Sequence, residues 1–232
     1  MNTRLRNFLV MIVVDTMANT TVNTTPGDII MIVATMFGGK TSYILHLMET
    51  ASHKFREIHG EENKILYINH TSDTRSVEPF STHSMSIDPE IAKKLNVDMY
   101  KFSSIKNARK AVDMTKYKLV CIDEAQFFDD LVEGSKYISE NLGIDIYAAG
   151  LRGDSERRAF GKIWSLAPLA DDIIILKDTF CKLCAKQGRS KKAVFTHRID
   201  RTDRAQVQIG ASNYLPVCRK CYIENNKGIG ST

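Results

Sequence analysis

Apolar runs bounded by polar loops recur along the chain: IIMIV at 29–33, KILYIN at 64–69, LVCI at 119–122, IDIYAAG at 144–150 and DDIIILKDTF at 171–180. The continuous run at 29–33 predicts a strand buried on both faces, 144–150 reads as another buried strand, and the other three runs read as strands. Between them the spacing lengthens. From Lys40 to about Glu57, the residues Ile44, Leu45, Leu47, Met48 and Phe55 fit a helix with one buried side. Helical spacing returns in DPEIAKKL, in SIKNARKAVDM and across 129–142. Strands alternating with helices predict an α/β fold, a mostly parallel sheet flanked by helices. The polar segment 70–88 is long enough to be either disordered or functional. Beyond Phe180 the texture changes to short basic segments, paired cysteines and brief alternating runs. This places a boundary near 177, with a main domain at 26–177, a small one at 178–224 and a tail at 225–232. No repeat period is present.

Composition changes this picture little. Of 232 residues, 43% are hydrophobic and 25% charged, which is ordinary globular usage. The formal net charge of +5 favours acidic ligands, and nucleotides satisfy it as well as nucleic acid does. No apolar run approaches the ~18–20 residues that span a bilayer, so no membrane partner is expected. The opening RLRNFLVMIVVDTMANT mimics a weak signal peptide, but no small-x-small cleavage pattern follows. Residues 1–25 read instead as a poorly ordered leader. Four of the five cysteines form two Cys-x-x-Cys pairs, a pattern that points to a metal site in a reducing, cytoplasmic compartment.

Three constellations carry chemistry. In MIVATMFGGKTSYI, the residues Gly39, Lys40 and Thr41 end a phosphate-loop pattern whose leading glycine is Ala34. Strand, glycine turn and helix start together make an anion site, with unpaired N–H groups and the helix dipole facing the phosphates. Whether Ala34 matters depends on its φ. Asp123 and Glu124 follow an apolar strand, so they lie at its carboxyl end, where open α/β sheets bind ligands. They suit Mg2+ binding and general-base roles; the alternative is two solvated carboxylates capping the next helix. Cys181, Cys184, Cys218 and Cys221 suit a closed, structural Zn2+ site, with a redox pair as the alternative. Cys121 reads as a core thiol.

Taken together these pieces resemble the type II thymidine kinase family, over about 28–222. DEAQFFDD (123–130), RAFG (158–161), PLAD (168–171), FTHR (195–198) and IGASNYLPVCRKCY (209–222) carry the resemblance, and DTRS (73–76) and STHS (81–84) match the segment after the second strand. The resemblance implies a P-loop, RecA-like domain plus a zinc-binding domain bearing a lasso loop. The implied activity is ATP- and Mg2+-dependent phosphorylation of thymidine, in a homotetramer, with no nucleic-acid partner. Members usually read Gly-Pro-Met-Phe-[Ser/Ala]-Gly-Lys-[Ser/Thr] where this chain has ATMFGGKT, although some bacterial and phage members also lack the leading glycine. Arg152 likewise stands where many members carry Asp. Ser155, Gln206 and Gln208 depart from the family near the base pocket.

On that resemblance the phosphates lie on Met36, Phe37, Gly38, Gly39, Lys40 and Thr41, with Mg2+ near Thr41 and Asp123 and Glu124 as the base. Arg75 and Arg157, and less directly Arg198, are candidates for neutralising the transferring phosphate. Met36, Phe127, Leu151, Arg157, Thr196 and Tyr214 are the implied thymidine contacts. Of Phe127 and Phe128, one is expected in the pocket and one in the core. Two rivals stand beside this reading: a zinc-ribbon ATPase that binds nucleic acid through the basic tract after Cys184, and a nucleotide-binding paralogue without turnover.

Overall fold

The computed structural model describes residues 25–59, 64–73, 89–200 and 213–226. Six strands make one sheet: β1 (Ile29–Ala34), β2 (Lys64–His70), β3 (Val97–Phe102), β4 (Tyr117–Ile122), β5 (Asp145–Leu151) and β6 (Asp172–Ile175). Their order is β3-β2-β4-β5-β1-β6, and every pairing is parallel. A parallel sheet must be covered on both faces, and successive side chains of each strand supply the two cores. One face packs Met31, Val33, Leu66, Ile68, Val120 and Ile122 under α3 (Ile105–Ala111) and α4 (Leu131–Lys136). The other packs Ile32, Ile65, Tyr67, Leu119 and Cys121 under α1 (Lys40–His59) and α2 (Pro89–Leu95, which contributes Leu95). Burial pushes the Cys121 thiol up, as expected of an inert core residue.

Two elements differ from the sequence reading. β3 sits at a sheet edge and is only partly covered, and VDMYKF carries no apolar run; Tyr100 is 42% exposed. The helix expected at 129–142 divides into α4 and a π-helical turn, Tyr137–Asn141.

After the sheet come α5 (Lys182–Ala185), the antiparallel pair β7 (Phe195–Arg198) and β8 (Tyr214–Val217), and α6 (Arg219–Glu224). Their small core gathers all four paired cysteines with Val217 and Tyr222. Among the described residues, no helix is long and apolar enough to cross a membrane. Residues 1–24 of the expected leader (1–25) and 227–232 of the expected tail (225–232) lie outside the described residues, as do Arg75, Gln206, Gln208 and STHS.

Candidate active site

The loops after β1, β4 and β5 converge at the carboxyl edge of the sheet, where open α/β folds place their ligands. The first joins β1 to α1. Ala34 ends β1 in register with Leu151, and among the described residues the non-glycine positions with positive φ are Phe37, Asn96, Glu124 and Arg157, not Ala34. Its backbone therefore does not call for glycine. The methyl group does take space. A Cβ built on Gly38 would stand 2.5 Å from Ala34 Cβ and 2.7 Å from the Thr35 carbonyl oxygen. The loop has exchanged positions: the glycine absent at 34 stands at 38. Gly39, at φ 77°, keeps the backbone freedom that a side chain would lose. Lys40 opens α1 and is 7% exposed.

This trade makes a prediction. Gly38→Ala overpacks the loop and weakens ATP binding by about tenfold, and adding Ala34→Gly restores part of the loss, since the contact with the Thr35 carbonyl oxygen remains. Titration calorimetry across the four-member cycle checks it; equal effects of Gly38→Ala in both backgrounds would contradict the exchange.

The loop after β4 supplies the carboxylates. Asp123 is 1% exposed; its Oδ2 accepts from Thr41 Oγ1 (3.0 Å) and Tyr67 Oη (2.9 Å), and its Oδ1 accepts from the Glu124 amide (2.8 Å). Burial, then the Glu124 carboxylate, pushes the Asp123 carboxyl above its ordinary range, while Lys40 opposes them. The Thr41 hydroxyl and the Asp123 carboxylate are hard oxygen donors side by side, which fits Mg2+.

Glu124 adopts a left-handed backbone, φ 49° and ψ 38°, an uncommon conformation for a side-chain-bearing residue that clusters at functional sites. Its Oε2 accepts from Gln126 Nε2 at 2.6 Å, and Gln126 Oε1 in turn accepts from the Leu151 amide at 3.0 Å. Gln126 thus ties the carboxylate to the end of β5. The sequence reading did not single it out, although it lies inside DEAQFFDD.

Phe128 is fully buried in the core, and Phe127 beside it is half-buried. Phe127 stands between His70 (5.6 Å) and Phe160, which meets it edge-on at 5.5 Å. Phe160 is a second aromatic wall that the sequence reading did not single out.

Elements beyond the sheet close against the first loop. Thr196 Oγ1 accepts from the Met36 amide at 3.0 Å, and Thr179 Oγ1 donates to the Phe37 carbonyl at 3.2 Å. A cavity of about 110 Å³ lies beside Thr35, lined by Arg152, Arg157, Phe195 and Thr196 among others. Arg157 is exposed, with φ 67° and its guanidinium 4.8 Å over the Tyr222 ring. Arg198 is buried, 5.5 Å over the Tyr214 ring, and so lies in the small sheet rather than in the open. The Ser155 carbonyl accepts from Tyr222 Oη at 2.7 Å.

The four paired cysteines bring their sulfurs within 4.8 Å of one another, and none is more than 9% exposed. Cys184 Sγ lies 3.8 Å from Cys218 Sγ and 3.6 Å from Cys221 Sγ. Zn–S bonds of about 2.3 Å give a tetrahedron with edges near 3.8 Å, so the cluster fits zinc. Burial pushes the Cys181 thiol up, but hydrogen bonds from the Cys218 and Cys184 amides outweigh it and bring it to about 7.

Comparison with known proteins follows the same lines. The family model described as Thymidine kinase matches residues 27–222. The chain is 31% identical over 202 residues to the cytosolic thymidine kinase of Cricetulus griseus, covering 87% of this chain and 76% of the relative. It is 31% identical over 197 residues to the thymidine kinase of Raccoon poxvirus, 85% of this chain and 97% of the relative. Identity to the thymidine kinase of Oryza sativa subsp. japonica is 30%, over 89% and 70% of the two chains.

Proposed function

The chain belongs to the thymidine kinase family, and from that premise we propose that it transfers the γ-phosphoryl group of ATP to the 5′-hydroxyl of thymidine, yielding dTMP and ADP. One observation carries the mechanistic reading. A clamped carboxylate, Glu124, stands next to the Thr41–Asp123 pair, at the mouth of a phosphate loop.

In this reading the backbone N–H groups of 36–41 and Lys40 hold the ATP phosphates. Thr41 and Asp123 hold Mg2+, which when bound neutralises charge developing on the β- and γ-phosphates. Glu124 accepts the proton of the 5′-hydroxyl as that oxygen bonds to the γ-phosphorus and the bond to ADP breaks. Gln126 aims Glu124, so its contribution is positional as much as basic. Met36, Phe127, Leu151, Tyr214 and Phe160 enclose the thymine ring and keep water from the phosphate. Thr196 joins the substrate side to the loop through Met36. Arg157 and Arg75 balance the charge of the transferring group. Zinc on the four cysteines holds the lid at 178–224 against the domain at 26–177. A cytoplasmic homotetramer completes the proposal.

ADP release from ATP and Mg2+ tests it, with thymidine, deoxyuridine, deoxycytidine or no nucleoside. Thymidine-dependent release is the expected result. Release driven by another nucleoside would keep the chemistry and move the specificity to Ser155, Gln206 and Gln208. Nucleotide binding with no turnover in zinc-replete protein would overturn the reading in favour of a silent paralogue.

A further inference from the structure

We propose that Tyr67 is a positioning residue for the divalent cation that accompanies the nucleotide, acting through Asp123. This rests on the phosphoryl-transfer reading above. Tyr67 lies in β2, an interior strand, and is fully buried. It pairs in register with Cys121 of β4, and Asp123 follows two residues later, past the end of that strand and on the same side of the sheet. The phenol therefore runs beneath the site and presents its hydroxyl to Asp123 Oδ2 at 2.9 Å.

An apolar residue could fill this part of the core without needing a polar partner; a buried tyrosine needs one. The partner here is the oxygen that also accepts from Thr41 Oγ1, and the second Asp123 oxygen accepts from the Glu124 amide. Three donors from three elements thus fix the plane of one carboxylate: Tyr67 from β2, Thr41 from α1 and Glu124 from the loop after β4. Thr41 and Glu124 belong to segments that handle substrate. Tyr67 is fully buried on an interior strand, so it is the donor anchored in the sheet. A carboxylate fixed in this way loses little freedom on meeting a cation, which is how preorganisation raises affinity.

The test is ADP affinity by titration calorimetry, in MgCl2 and again in EDTA, for the full chain and Tyr67→Phe. Tyr117→Phe is the control. It also loses a tyrosine–carboxylate bond, from Tyr117 Oη to Asp98 Oδ2 at 2.7 Å, but at the opposite end of the strands. In Tyr67→Phe the gain in affinity on adding Mg2+ falls by about tenfold, the size of a lost hydrogen bond to a charged group, while affinity in EDTA stays within about twofold. Tyr117→Phe keeps the full gain. An equal loss in MgCl2 and EDTA, or no loss at all, overturns the role of Tyr67 while leaving the kinase reading intact. A wild-type chain that binds ADP no better with Mg2+ overturns that reading and the inference with it.

Discussion

Glu124→Gln lowers thymidine-dependent ADP formation by about 10²–10⁴-fold, the range typical of a removed general base. The substitution is nearly isosteric at a residue that is 7% exposed, so the fold and the αL backbone at this position are retained. The amide cannot accept a proton in the transition state, and it also disturbs the clamp. Gln126 Nε2 now donates to Glu124 Oε2, and an amide at 124 can keep that bond only by turning its own oxygen toward Gln126. The loss therefore falls on kcat, with ATP binding through the loop at 36–41 retained. Steady-state kinetics with a parallel ATP-binding titration measures both. A fall in kcat of less than about tenfold would exclude Glu124 as the base.

Removing zinc has the second large effect. The small core contains the four cysteines, Val217 and Tyr222, with Leu183, Phe195 and Leu215 packed against it. So little apolar surface does not hold a separate unit together, whereas structural zinc contributes about 10–16 kcal/mol in isolated finger peptides. In Cys218→Ser, or after chelation, the described parts of the segment, 178–200 and 213–224, lose their order and become sensitive to protease, while the parallel sheet keeps its circular dichroism. Activity falls by at least about 100-fold, because both ties from this region to the phosphate loop go with it: Thr196 to the Met36 amide and Thr179 to the Phe37 carbonyl. Metal content, limited proteolysis and turnover are measured on one preparation. Full activity in zinc-free protein would show that the cluster is dispensable to the site.

The strands were legible to the degree that they carry an uninterrupted apolar run. β1, β2, β4 and β5 are interior and read as apolar runs; the edge strand β6 was legible too, because it keeps the run Ile173–Leu176, whereas in the other edge strand, β3, polar residues interrupt VDMYKF, and it was missed. The π turn after α4 was invisible, because its side-chain pattern is that of a helix and only the backbone bonding differs. Lys40, Thr41, Asp123, Glu124 and the cysteines were singled out from the sequence because each lies in a short motif that chemistry constrains locally. Gln126 and Tyr67 were not. Their roles depend on partners far along the chain or across the sheet, Leu151 for the first and Asp123 for the second.

By itself the sequence determined the fold class and the family, and it singled out the Gly39-Lys40-Thr41 loop, the Asp123-Glu124 pair and the four cysteines that cluster in space, because these are written in contiguous spacing and in periods of burial. Only the tertiary structure decided the strand order β3-β2-β4-β5-β1-β6, since parallel crossovers leave no local mark of which neighbour a strand will find. Only it could resolve the anomalous Ala34. The cost of a methyl group depends on what stands opposite it in space, and there stands Gly38, which has no side chain to collide with it.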